Sequence, residues 1–228
     1  MAVFSLTSAW DRYHRCKLEY PENFRLKVYR SLTWLSKAAS LKAPEDLDLR
    51  FVALWISLNC AYACESGPRD PQTGDHETLR NFLKTVCRFD QANDLHDFLR
   101  ERLNGSLGQL LASRYTLQAF WDYHNGKIKK DEWLRRYEDN RQRTELALQN
   151  PDHSDNVLNI VFNRIYTIRN QVLHGGSTCG GKTNRSLLTM ASDFMMGLMP
   201  CILLVMMDNY DLRDWGKPYY PVVKDGAE

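Results

Sequence analysis

Apolar residues recur at spacings of three and four along most of this chain, and no alternating run backed by hairpin residues interrupts them. The pattern therefore predicts an all-α fold. A first amphipathic helix is expected from Glu22 to Ala39 after Pro21, with Phe24, Val28, Leu32 and Leu35 as its inner stripe. Pro44, Glu45 and Asp46 open a second helix over about 45–65, since proline suits the first turn and acids suit the positive end of the helix dipole. That helix is apolar almost all round from Phe51 to Ala63, which places it centrally. The stretch 67–74, rich in glycine, proline and aspartate, reads as a loop that either joins two helices or lies over a ligand site. Further helices are expected near 76–89, 92–103, 114–125 and 131–148 before Asn150-Pro151 breaks the pattern. Ser154 or Asp155 then caps a helix whose buried face is Val157, Val161, Ile165, Ile168 and Val172, and Gly175-Gly176 ends it.

The strongest apolar run is Phe194 to Met207, roughly fourteen residues where a membrane span needs about twenty. A buried helix is the better reading, and no membrane association is expected. Its methionines and Pro200 also make it a candidate surface for pairing two protomers. The tail, 215–228, is rich in proline and tyrosine and has little periodicity, so only partial order is expected there.

At 228 residues and 43% hydrophobic, the chain can bury a full core, and one elaborated domain is expected: core helices about 45–65 and 154–208, a helical insertion over 76–148, and the tail. A net charge of +2 gives too weak an overall field to draw polyanions, so any nucleic-acid site must be a local basic patch. Phe120, Trp121, Tyr123, Trp133 and Tyr137 interleave with Arg135, Arg136, Arg141 and Arg143. This mixture suits a solvated basic face over an aromatic core stripe, and less well a surface that stacks bases and holds phosphates. The six cysteines are irregularly spaced and mostly lie in apolar runs, as reduced thiols of a cytoplasmic protein do. Cys60 and Cys64 share a helical face, but no matching His or Cys pair accompanies them, so no metal site and no cofactor are expected. Met1 to Cys16 lacks the apolar core and cleavage pattern of a signal peptide.

Chemistry concentrates at Arg169-Asn170-Gln171-Val172-Leu173-His174, where a fixed cation, an amide and an imidazole end an otherwise apolar helix. Asn170 and His174 share a face, whereas Arg169 and His174 lie about 140° apart on an ideal helix and converge only if the last turn loosens. An ordinary surface arginine and a histidine favoured by the helix dipole would give the same letters. His174 has the side chain suited to proton transfer near neutrality, and Arg169 offers a planar fork to phosphate oxygens. Asn170 can orient His174 or donate to phosphate.

The Arg-Asn-x3-His arrangement, flanked by apolar helices, resembles the signature of the HEPN superfamily. That resemblance implies a HEPN-like helical bundle with extra helices inserted before the motif helix. It also implies a homodimer in which two copies of Arg169, Asn170 and His174 face each other across one RNA groove. The implied activity is metal-independent endoribonuclease cleavage leaving 2′,3′-cyclic phosphate and 5′-hydroxyl ends. Toxin–antitoxin pairs, phage defence and RNA processing are the implied settings, with an antitoxin or regulatory protein as a further partner. Some relatives carry an acid on an earlier helix, after a stretch like Leu54-Trp55-Ile56-Ser57-Leu58; this chain has Asn59 there, which needs a partner and is expected to contact the motif. The alternative is a non-catalytic binding or dimerisation module of the same fold.

Gly176 to Thr183 matches the letters of a nucleotide-binding phosphate loop, Gly-x4-Gly-Lys-Thr. Such a loop must follow a buried strand, and here it follows a helix, so a nucleotide hydrolase is the less favoured reading. Lys182 and Arg185 remain candidates for holding an RNA phosphate beside the motif.

Overall fold

A computed structural model describes residues 4–64, 74–102, 105, 107–147 and 154–221. The protein is all-α, with ten α-helices and no strand among the described residues. The expected loop at 67–74 and the break at Asn150-Pro151 fall outside them, apart from Gly74.

The first helix, α1 (Leu6–Cys16), has Leu6, Ala9, Trp10 and Tyr13 at helical spacing and is opened by a side-chain cap. Ser5 and Ser8 exchange side-chain and backbone hydrogen bonds in a capping box. Helices α2 (Glu22–Ser40) and α3 (Leu47–Tyr62) pack along their whole length. Lys27 reaches the Ala63 carbonyl and the Ser31 and Ser57 hydroxyls each donate to the other's backbone carbonyl, so the two helices run antiparallel. Val28, Leu32 and Leu35 of the expected stripe are fully buried there.

Helices α4 (Asp75–Phe89), α5 (Asp94–Arg102) and the short α6 (Gly108–Ala112) follow, then one 3-10 turn, Arg114–Thr116. Next come α7 (Gln118–His124) and α8 (Lys130–Ala147). The aromatic residues of this region close a small second core around Phe120 and Trp133, separate from the main one. Most of the α8 arginines pair with acids on their own helix, Arg135 with Asp139, Arg136 with Glu132, and Arg141 with Glu138 and Glu145. The favoured expectation of a solvated charged face over an aromatic stripe describes them, with Arg143 left outside that network.

The motif helix α9 (Ser154–Leu173) lies against α4, α5 and α8, burying Val157, Val161, Ile165 and Ile168. The last helix, α10 (Arg185–Asp208), runs through the core and touches α1 to α6 and α9. By length and composition it could cross a membrane, yet 72% of its most apolar stretch is covered by the protein itself. Its close approach to α5 needs Gly197, since a Cβ there would stand 2.9 Å from the Phe98 ring. Leu198, Met199, Ile202, Leu203 and Met206 are fully enclosed within one chain, so these side chains of α10 are not a free apolar surface.

The start of the tail is better anchored than its lack of periodicity predicts. Trp215 is buried among Phe24, Phe82 and Phe89, its ring N–H donates to the Asn209 carbonyl, and its own carbonyl accepts from the buried Lys27 ammonium at 2.8 Å.

Candidate functional site

The helical ladder of α9 stays intact to His174, whose N–H donates to the Asn170 carbonyl at 3.0 Å; Gly175 then turns the chain with φ +73°. Arg169 and His174 nevertheless meet. The Arg169 Nη1 lies 3.4 Å from His174 Nε2 and donates to Asn170 Oδ1 at 3.0 Å. Convergence therefore comes from the reach of the arginine side chain around the helix end, and the expected loosening of the last turn does not occur. Because a guanidinium can only donate, Asn170 must present its oxygen to Arg169, which leaves its NH2 group facing away. By the same logic the contact uses the lone pair of His174 Nε2.

What holds Arg169 in place is aromatic. Its guanidinium stands over the Tyr166 ring at 5.3 Å and the Trp55 ring at 5.7 Å, and those two rings meet edge to face. The charged fork is thus fixed by a buried α3 residue, while His174 is exposed at the helix tip.

The other expected contacts are distributed differently. Asn59 makes no hydrogen bond to the motif, and its Oδ1 is buried without a partner. The rings of Trp55 and Tyr166, rather than Asn59, meet the arginine from within. Arg185 is committed to Asp48 in an ion pair and to the Pro44 carbonyl at 3.0 Å. The Gly180 N–H also donates to Asp48 at 3.0 Å, and the Gly181 N–H to Thr178 at 2.9 Å. Those amides are engaged within the fold, and the loop joins two helices, so the phosphate-loop letters have neither the strand nor the free cradle they need. Lys182 is exposed on the same connection.

Asp48 therefore pins the segment after His174. Burial alone would raise its carboxyl pKa, but hydrogen bonds from Arg185 and Gly180 outweigh that and hold it below the usual carboxylate range. Its folded pKa is depressed, so its contribution is fully present above the unfolded value of about 3.9 and is lost as pH falls through the folded one. Asp48→Asn is expected to cost about 1–3 kcal/mol at neutral pH by leaving a half-buried guanidinium without its anion. Urea unfolding checks this, and the gap between parent and variant should shrink on acidification.

Two residues that the motif does not name join the site. His76 of α4 shares a 2.6 Å hydrogen bond with Asn163 and meets the Tyr166 ring edge-on at 5.3 Å. Arg164 lies one position further along α9, buried to 2% exposure. A groove of about 620 Å³ between α8 and α9 connects them, lined by His76, Asn163, Arg164, Thr167 and Asn170 among others. One signal was available: Asn156, Asn163 and Asn170 recur every seven residues, a polar stripe along an otherwise apolar helix.

Compared with known protein families, with curated proteins and with solved structures, the chain matches none of them.

Proposed function

We propose that this protein is a metal-independent endoribonuclease that works as a homodimer, with Arg169, Asn170 and His174 of two copies facing one RNA strand. The observation that carries this reading is the 3.4 Å meeting of Arg169 and His174, with Asn170 on the same guanidinium nitrogen, at an exposed helix end. RNA brings its own nucleophile, the 2′-hydroxyl. Cleavage then needs a group to accept that proton, one to protonate the departing 5′-oxygen, and positive charge on the phosphorane. The lone pair of His174 Nε2, released from its long 3.4 Å contact with Arg169 when the phosphate draws the guanidinium away, supplies the first function in one copy, and a protonated His174 of the second copy supplies the other. Arg169, braced on two rings, carries charge to the phosphate with little movement of its plane. Leu173, 42% exposed beside the motif, gives a second copy an apolar contact at the right place.

The test is incubation of 5′-labelled RNA in EDTA with protein whose oligomeric state is measured in parallel. The proposal expects a dimer and products ending in 2′,3′-cyclic phosphate and 5′-hydroxyl. A folded protein that leaves RNA intact would replace the enzyme by the binding-module reading.

A further inference from the structure

Arg164 is buried on α9 to 2% exposure with most of its guanidinium unanswered. Its Nε and Nη1 are inaccessible and have no hydrogen-bond partner. Its guanidinium stands over the Tyr137 ring at 5.8 Å, and no carboxylate pairs with it among the described residues. Burial pushes its guanidinium down to about 10, partly offset by Tyr137, so it still carries its proton at neutral pH. Burying a cation without a counter-charge costs free energy that an anion brought to it would offset.

The groove above it is built to admit that charge from outside. Arg135, Arg136 and Arg143 line the same space, against a single carboxylate, Asp139. The Arg135 and Arg136 ion pairs are solvent-exposed and weak, so both side chains can turn toward a ligand. Arg143 is exposed and makes no ion pair among the described residues. A volume of about 620 Å³ lies in the range of small-molecule sites. Four planar forks around one anion favour an oxyanion with several acceptor oxygens.

We propose that the α8–α9 groove binds the phosphate group of a nucleotide-sized ligand, with Arg164 as its anchor. The site goes beyond the ribonuclease reading and stands whether or not the motif cleaves RNA. Its phosphate can come from a free mononucleotide or from a nucleotide within an RNA chain.

Calorimetric titration of the full chain at low salt with AMP, and separately with a single-stranded RNA hexamer, tests the proposal. The parent protein is expected to bind at least one of the two, with affinity falling as salt is added. AMP binding identifies a free nucleotide as sufficient, whereas binding of the hexamer alone identifies the chain as the source. Arg164→Gln and Arg143→Glu are each expected to weaken that binding about tenfold or more, the size of one lost charge-assisted contact. Failure of the parent to bind either probe overturns the proposal, and so does parent-like affinity in a folded Arg164→Gln. Should Arg164→Gln not fold by circular dichroism, the exposed Arg143→Glu decides in its place.

Discussion

His174→Ala is expected to lower RNA cleavage in EDTA by about 10²–10⁴-fold, the usual contribution of a positioned proton-transfer group. Its melting temperature should hardly move, because the side chain is exposed and its one side-chain hydrogen bond among the described residues is the long one to Arg169. Arg169→Ala is expected to cost about 10²–10³-fold, in line with the loss of one preorganised donor to the transition state. Arg169→Lys should recover little of that, since lysine keeps the charge but not the planar guanidinium that stands over the Trp55 and Tyr166 rings. Labelled-RNA cleavage with product-end analysis measures all three. Cleavage that survives both alanine changes would take the motif out of the mechanism. His76→Ala is the informative comparison, because His76 is an imidazole on the same groove as Asn170. A composite site across two protomers predicts less than about a tenfold effect for it, below the range for a proton-transfer group. A loss as large as that of His174→Ala would place both proton-transfer groups in one protomer and remove the need for a dyad.

Trp55→Ala is expected to be the most damaging single change to fold and site together. The ring is 2% exposed in the central helix, and truncating such a core residue costs about 3–5 kcal/mol through lost burial and the cavity left behind. It also removes one of the two faces that hold Arg169, so cleavage should fall even at temperatures where the variant remains folded. Trp55→Phe should be far milder. It keeps an aromatic face for the guanidinium, and it deletes an indole N–H that is buried without a partner, which offsets part of the lost volume. Urea unfolding of both variants beside their cleavage rates checks this. A cost below about 1 kcal/mol for Trp55→Ala would contradict the central placement of α3.

Much of this architecture was legible because its cause is local. The spacing of Phe24, Val28, Leu32 and Leu35 fixes one face of α2 whatever packs on it, and the all-apolar stretch from Phe51 to Ala63 can only be central. Gly175 announces the end of α9, and with it the exposed placement of His174, because only a left-handed residue turns the chain there without strain. The fate of α10 was not legible. Composition says that its whole circumference must be covered, but not whether the cover comes from α3 and its neighbours or from a second copy.

The amino-acid sequence by itself determined the helical class, the boundaries of the main helices and the grouping of Arg169, Asn170 and His174 at one helix terminus, since each follows from backbone periodicity and chain geometry over a few residues. Tertiary structure alone decided which side chains surround that grouping. His76 reaches Asn163 across 87 positions and Asp48 takes Arg185 out of reach of a phosphate across 137. Arg164 becomes a buried cation facing a groove only once α8 lies over α9. Such pairings depend on how whole helices pack, and no local pattern encodes the partner that a charged or aromatic side chain will meet at that distance.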